Sequence, residues 1–262
     1  MTNIAHDHGL TFKARDGVAW IEINRPDRLN ALAPEGFLAL ATIAEQAEVR
    51  DDVRVIVFSG AGGRAFCAGL DIKAVIAKGD VSFPAPMKGT ERNPFERILE
   101  INKPTIACLE GVCIGGGADL AMACDLRLAS ETLRFASSEA KIGMGAHFAS
   151  VILPRLVPRA YALELLYTGR TMTPDEGLRH GFLNGVHPAG ELRDVVRGLA
   201  KTIAGNAPLT VRRCKEISTK SMGLPISAAL RLGVGVDPYT SQDRIEGMNA
   251  FIEKRPPNFK GR

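Results

Sequence analysis

The sequence predicts an α/β domain, in which strands and helices alternate, followed by a helical C-terminal region. Two β-branched runs, VAWIEI (18–23) and VRVIVFS (53–59), are typical of strands, and the segment 34–49 between them has apolar residues at helical spacing. Residues 104–137 then repeat the order strand, glycine turn, helix, strand. Such a βαβ-like repeat favours helices layered on a sheet.

The elements of the middle of the chain follow in order. Residues 71–90 end in GDVSFPAPMKGTE, whose glycines and prolines predict a loop long enough to form a mobile lid or the edge of a pocket. The next five elements are a helix FERILEI, a buried strand PTIACLEG, a helix GGADLAMA, and the strands CDLRLAS and LRFAS.

The character of the chain changes from about residue 189. ELRDVVRGLAKTIA, PLTVRRCKEISTKSM, PISAALRLGVGV and SQDRIEGMNAFIEKR all have helical spacing, with no convincing strand between them. We therefore predict a core over 1–196 and a helical region over 197–262. Amphipathic helices with little core of their own often pack on another subunit.

Composition limits the possible partners and location. Among 262 residues, lysine and arginine (33) exceed aspartate and glutamate (29), a net charge of +4 that suits an anionic small molecule. Without a concentrated basic patch, this excess does not predict nucleic-acid binding. The five cysteines form no CxxC pair and are expected to be reduced core residues of a cytoplasmic protein. Neither a targeting segment nor a membrane span is predicted.

The stretch CIGGGADLAMACD (113–125) places three glycines directly before a predicted helix. It does not match GxGxxG, and the chain has no GxxxxGK[ST], GxSxG or HExxH. What remains is a helix N-terminus whose amide groups an oxygen atom can approach closely. A second bend, AGGRAFCAGLDIK (61–73), is similar. Together the bends predict an oxyanion hole made of two amides; tight turns with no chemical role are the alternative.

Five segments carry a resemblance to a known family: NRPDRLNAL (24–32), GRAFCAGLDI (63–72), NKPTIACLEGVCIGGGADLAMACDLRLAS (102–130), RFASSEAKIG (134–143) and SQDRIEGMNAFIEKR (241–255). In these segments the chain resembles the crotonase superfamily, which contains the enoyl-CoA hydratases and isomerases. The resemblance implies a spiral of ββα repeats with a C-terminal helical trimerisation region. It also implies a homotrimer or a homohexamer built as a dimer of trimers, and an acyl-CoA thioester as the substrate.

The resemblance implies roles for particular residues. The backbone amides of Leu70 and Gly116 would form the oxyanion hole around the thioester oxygen. Asp119 and Glu139 fall where hydratases carry two carboxylates, so Asp119 would hold and activate a water molecule and Glu139 would exchange the C2 proton. The alternatives are a first-turn acid favoured by the helix dipole for Asp119 and a surface residue for Glu139.

A branch of the family that isomerises dienoyl-CoA also has Asp at the first carboxylate position. It adds an acid eight residues after the second carboxylate, where this chain has His147. His147 can titrate near neutral pH and assist a longer proton transfer, or it can simply cap or pack. The resemblance therefore implies a hydratase, with an isomerase that uses Asp119, Glu139 and His147 as the alternative.

For the CoA moiety, the resemblance implies Ala68 and Asp71 near the adenine, with Lys73 close by. Phe251 and Lys254 match residues that contact CoA from a neighbouring subunit, and Arg28 lies beside a position that is often basic. No metal and no separate cofactor are expected, because coenzyme A is part of the substrate. A non-catalytic protein that binds CoA or RNA is an alternative of a different class.

Overall fold

The computed structural model of the protein describes residues 2–77, 79 and 92–262. The strands of these ranges are β1 (Thr2–His6), β2 (Leu10–Arg15), β3 (Gly17–Ile23), β4 (Val53–Gly60), β5 (Ala65–Cys67), β6 (Thr105–Leu109), β7 (Val112–Ile114), β8 (Leu126–Ser130), β9 (Arg134–Ala136) and β10 (Gly185–His187). The α-helices are α1 (Pro34–Glu48), α2 (Ile72–Ala77), α3 (Pro94–Leu99), α4 (Gly116–Ala123), α5 (His147–Leu156), α6 (Arg159–Thr168), α7 (Pro174–Arg179), α8 (Ala189–Gly205), α9 (Pro208–Lys220), α10 (Ile226–Ala229) and α11 (Gln242–Glu253).

The strands form two sheets. A seven-stranded sheet has the order β1-β2-β3-β4-β6-β8-β10, antiparallel over its first three strands and parallel from β3 onward. A three-stranded sheet has the order β5-β7-β9 and is parallel throughout. The strands predicted at 18–23 and 53–59 and the helix predicted at 34–49 are confirmed.

The two sheets are connected by a repeated unit. In β4–β5–α2, β6–β7–α4 and β8–β9–α5, one strand joins the large sheet, the next joins the small sheet, and a helix follows. This order confirms the α/β fold and the predicted spiral of ββα repeats. The sequence reading missed β7, because three residues are too few for a recognisable periodicity.

The large sheet has a hydrophobic core on each face. Side chains of β4 alternate between the two, since successive residues of a strand point to opposite faces. Ile56 and Phe58 belong to the core that includes α1 and α4, whereas Val55 and Val57 pack in the core that includes α8. The sheet therefore separates two layers of helices.

The predicted boundary at residue 196 falls inside a helix, because α8 runs from Ala189 to Gly205. Leu192 and Val196 before the boundary, and Ala200 and Ala204 after it, all pack in the core that α8 shares with the large sheet. This helix therefore belongs to the core domain, and the region that extends from it begins after Gly205.

The C-terminal region is helical, as predicted, and in the single chain it exposes large apolar side chains. Leu230 is 81% exposed, Ile226 78%, Phe251 85% and Ile252 74%. Burying an apolar side chain of this size stabilises a protein by about 1.5 to 3 kcal/mol. Covering these side chains with another surface would therefore stabilise the protein.

The remaining predictions concern cysteines, membranes and the long loop. Cys67, Cys108, Cys113 and Cys124 are buried free thiols, which confirms core positions for them, whereas Cys214 is exposed. Among the described residues, no helix is both long and apolar enough to cross a bilayer. Most of the lid or pocket edge predicted at 71–90 lies outside the described residues, which resume at 92 after α2.

Candidate active site

The three strands of the small sheet end at the same edge, and each is followed by one of the motifs found in the sequence. β5 leads to Gly69 and Leu70, β7 leads to the glycines at 115–117, and β9 leads to Glu139. Because β5, β7 and β9 are parallel neighbours, their carboxyl ends bring together segments about 25 to 70 residues apart in the chain. The sheet topology therefore assembles the predicted site.

The first two bends pack directly on each other, which requires glycine. Gly69 has a φ of +86°, and a Cβ atom there would lie 2.6 Å from the carbonyl oxygen of Ile114 and 3.0 Å from the amide nitrogen of Gly116. A Cβ on Gly117 would lie 2.1 Å from the carbonyl oxygen of Cys67. Glycine at positions 69 and 117 therefore lets the two backbones approach closely.

Both predicted donors of the oxyanion hole are available. Leu32 donates its amide to Gly69 (2.9 Å) and Asp71 donates to Leu32 (2.9 Å), so the residues around Leu70 are fixed. Within the described residues, the amide of Leu70 itself donates to no acceptor. Gly116 is the first residue of α4, whose first helical bond runs from Asp119 to Gly115 (2.9 Å), so the Gly116 amide precedes the bonded ladder.

The two predicted carboxylates lie beside these donors. Asp119 is on the first turn of α4, and Glu139 opens a 3₁₀ turn (Glu139–Ile142) after β9. The Oε1 atom of Glu139 is 3.7 Å from where a Cβ of Gly115 would be. Asp119 Oδ1 and Glu139 Oε2 are shielded from solvent, and neither has a hydrogen-bond partner among the described residues. Buried polar atoms are rarely left unpaired, so such a pair points to a ligand or water between them.

Burial raises the pKa of Asp119 well above its usual range, and the negative charge of Glu139 raises it further. A buried carboxyl group beside a second negative charge ionises less readily, so Asp119 keeps its proton to a higher pH than an ordinary aspartate does. A perturbed carboxyl group of this kind is typical of acid–base catalysis rather than of a surface acid.

We expect the variant Asp119→Asn to be more stable than the parent at neutral pH, by on the order of 1 kcal/mol. The raised pKa means that the native state keeps a proton which the unfolded chain has lost, so the contribution of Asp119 favours folding in acid. This contribution is lost as the pH rises from the unfolded pKa towards the raised pKa of the folded state. Urea unfolding at about pH 4 and about pH 8 measures the difference. A gain that is equal at both pH values would contradict the buried charge as its cause.

His147 is not joined to the carboxylates. It is the first residue of α5 and is exposed. No hydrogen bond or ion pair of the described residues links it to Asp119 or Glu139. Its predicted role in isomerisation stays a prediction.

The predicted CoA contacts divide into two groups. Ala68, whose amide donates to Leu29 (3.0 Å), lies beside the 3₁₀ turn that carries the exposed Arg28, and exposed Lys73 follows on α2. Phe251 and Lys254 lie at the end of α11 and are exposed. The contact of this second group with CoA across a subunit boundary stays a prediction.

Asp71 has a structural environment that the sequence reading missed. It is buried, its Oδ1 accepts from the amide of Ala74 (3.2 Å), and its Oδ2 lies 3.5 Å from a guanidinium nitrogen of Arg25. Arg25 also donates to the carbonyl of Ala31 (2.6 Å). Both oxygens of Asp71 therefore contact groups of the protein itself. Within NRPDRLNAL (24–32), the cation that contacts Asp71 is Arg25 and not Arg28.

A second missed feature is an aromatic wall next to the glycine bend. A Cβ on Gly116 would lie 2.8 Å from Cζ of Phe37. The ring of Phe37 contacts Phe95 at 5.2 Å between centroids, and Phe95 contacts Phe148 at 5.7 Å. These rings lie on α1, α3 and α5, so no local sequence pattern could have grouped them. Together with the amides and carboxylates they give the site an apolar side.

Comparisons with known proteins identify the family of this chain. Residues 13–262 match the family model described as enoyl-CoA hydratase/isomerase. The chain is 39% identical over 269 residues to the carnitinyl-CoA dehydratase of Proteus mirabilis, which covers 97% of this chain and 98% of that protein. It is 33% identical over 258 residues to the (E)-benzylidenesuccinyl-CoA hydratase of Thauera aromatica, covering 96% and 99% respectively.

The similarity extends to solved structures. An enoyl-CoA hydratase from Mycobacterium marinum superimposes with a TM-score of 0.88 at 33% identity, over 98% of this chain and all of that chain (100%). An enoyl-CoA hydratase from Bacillus anthracis gives a TM-score of 0.86 at 30% identity, over 97% and 100%. From the matched family model, the relatives and the shared fold, we conclude that this chain belongs to the enoyl-CoA hydratase/isomerase family of the crotonase superfamily.

Proposed function

We propose that the protein is an enoyl-CoA hydratase, which adds water reversibly and with syn geometry across the 2,3 double bond of a trans-2-enoyl-CoA. The observation that carries this proposal is the pair of carboxyl oxygens of Asp119 and Glu139 beside the amides of Leu70 and Gly116, four groups that have no partner in the part of the chain that the structure describes. Relatives named as hydratases and as dehydratases support it, since these names describe one reaction in opposite directions.

In the proposed reaction, the amides of Leu70 and Gly116 donate hydrogen bonds to the thioester oxygen. The negative charge that develops there as the enolate forms is stabilised by these donors and by the N-terminal end of α4, at about 3 kcal/mol for a donor. Water bonds to C3 through its oxygen while the electrons of the double bond move toward the thioester. No separate cofactor enters this scheme.

Two protons move in the proposed reaction, and the carboxyl pair accounts for both. Asp119 takes a proton from the water, and Glu139 delivers a proton to C2. The pair holds one proton before the step and one after it, so the balance is kept. Because the raised pKa of Asp119 favours the proton there at rest, the proton must pass to Glu139 before water attacks. This proton transfer takes place between the two carboxyl groups.

An activity screen tests the proposed reaction. The protein is incubated with trans-2-enoyl-CoA substrates of several chain lengths and with a 3,5-dienoyl-CoA, and products are identified by mass. Loss of the conjugated-thioester absorbance with a mass gain of one water supports hydration. Conversion of the diene at unchanged mass, with no hydration of any substrate, would assign the isomerase chemistry that involves His147 instead.

We also propose that the protein assembles into a homotrimer or a dimer of trimers through its C-terminal region. The exposure of Phe251 and Ile252 on α11 supports this, since a neighbouring subunit that covers them would bury two large apolar side chains. We expect Phe251→Ser/Ile252→Ser to weaken both oligomerisation and acyl-CoA affinity. Sedimentation velocity and a binding titration measure the two effects.

The matched control is Val49→Ser, a similarly exposed apolar residue (81%) that follows α1 in the core domain. Val49→Ser should change neither oligomerisation nor acyl-CoA affinity. An unaltered sedimentation coefficient in the double variant, together with normal CoA affinity, would contradict the proposed assembly and the shared site.

A further inference from the structure

A cavity lies on the face of the seven-stranded sheet that packs against α8. We call it the α8 groove; its volume is about 620 Å³, and β2, β3, β4 and α8 line it. The candidate active site uses α4, which packs in the core of the opposite face. Cavities of about 300 to 1,000 Å³ are typical of small-molecule sites. The α8 groove is therefore large enough for a ligand and does not overlap the acyl-CoA site.

The groove concentrates positive charge that is dispersed in the sequence. Lys13 and Arg15 come from β2, and Arg193, Arg197 and Lys201 come from α8. Against these five cations, Asp16 and Glu22 are the acidic residues of the lining. Positions 193, 197 and 201 are spaced i, i+4, an arrangement in which like charges destabilise a helix by roughly 0.2 to 0.5 kcal/mol a pair.

Part of this charge is neutralised within the protein, and part is not. Arg193 contacts Glu22 (2.8 Å) and donates to the carbonyl of Gly60 (2.7 Å), so its guanidinium is fixed at the groove. Arg15 pairs with Asp16 (3.3 Å), and Arg197 pairs with Asp194 of the same helix. Lys13 and Lys201 have no carboxylate partner among the described residues.

Two uncharged groups of the lining also point to a ligand. Ser59 is 1% exposed, and its hydroxyl has no hydrogen-bond partner among the described residues. It lies opposite Glu22 in the register of β3 and β4. Trp20 is half-buried, and the guanidinium carbon of Arg193 lies 6.0 Å from its ring centroid. The groove thus combines an unpartnered hydroxyl with a flat, polarisable surface.

We propose that the α8 groove binds a small polyanion that carries a flat ring, of the class of nucleoside diphosphates. Lys13 and Lys201 hold the phosphates through charge-assisted hydrogen bonds. The ring stacks on the surface formed by Trp20 and Arg193. The hydroxyl of Ser59 bonds to a polar atom of the ligand, which removes its unpaired state.

The sequence provides its own reporter for a test, because Trp20 is the single tryptophan of the chain. The full-length protein is titrated with ADP up to about 5 mM, a range that detects even weak binding, while tryptophan fluorescence and heat are followed. Saturating coenzyme A is present throughout, so that the adenine pocket proposed for the substrate is occupied. We expect a saturable fluorescence change that weakens as salt is raised from about 0.05 M to about 0.5 M.

Variants locate the ligand. Lys13→Gln/Lys201→Gln should weaken ADP binding by about tenfold or more, and Ser59→Ala by a smaller factor. The control Lys220→Gln removes one positive charge outside the groove and should have no effect. Absence of both heat and fluorescence change, or binding unaltered in the double lysine variant, would overturn the proposal. Pyrophosphate that binds as tightly as ADP would overturn the role of the ring.

Discussion

Replacing Glu139 by glutamine is expected to lower kcat by about 10³-fold while acyl-CoA still binds, because a positioned proton donor contributes roughly 10² to 10⁴ to the rate. Glutamine has nearly the same shape and cannot exchange a proton with C2. Steady-state hydration of a short enoyl-CoA and a separate binding titration measure the two effects. The expected pattern is a fall in kcat at nearly constant affinity.

The control for this variant is Glu131→Gln. Glu131 is an exposed glutamate in the turn between β8 and β9, just before the strand that leads to Glu139. This substitution also removes one negative charge, and it should leave kcat unaltered. Turnover near the parent value in Glu139→Gln would remove Glu139 from the mechanism, whatever the control shows.

The same variant has a consequence for Asp119. Since the charge of Glu139 is the second cause of the raised pKa of Asp119, the pKa of Asp119 should fall in Glu139→Gln. It should remain above the usual range, because burial is the larger cause. Carboxyl NMR titration measures this. An unchanged pKa would show that the two carboxyl groups do not interact.

Removing the amide of Gly116 is expected to lower kcat by about 10² to 10³-fold, the usual loss for one donor of an oxyanion hole. Gly116→Pro removes this N–H and leaves the helix intact, since proline is well tolerated at the first position of a helix. Gly116 occupies that position in α4.

The matched control is Gly116→Ala, which keeps the donor. Both variants place a Cβ near Phe37, where it would lie 2.8 Å from Cζ, so both need the far end of that ring to move. The difference in kcat between proline and alanine therefore excludes the effect of the Cβ atom, and it measures the loss of the N–H together with the Cδ atom that takes the place of its hydrogen. Equal kcat values would contradict a role for the Gly116 amide, and circular dichroism of both proteins checks that α4 remains folded.

Much of the fold and of the site could be predicted from the sequence. The β-branched runs predicted β3 and β4, and the glycine-containing stretch predicted the bend before α4, because these are local patterns of few residues. The segments that carry Asp119 and Glu139 follow neighbouring strands of the small sheet. The predicted end of the core falls within α8, since α8 has the amphipathic pattern of the helices that follow it and only its packing on the sheet distinguishes it.

Other features depended on contacts between distant segments. The partner of Asp71 is Arg25, 46 residues earlier, and no local pattern marks that pair. The α8 groove is a stronger case, because Lys13 and Lys201 are far apart in the chain and only the packing of α8 beside β2 and β3 makes them neighbours. The sequence by itself determined the type of bends, strands and acids that this protein has. The tertiary structure decided which of them are buried and which charges meet, because burial and Coulomb interactions depend on distance in space and not on separation along the chain.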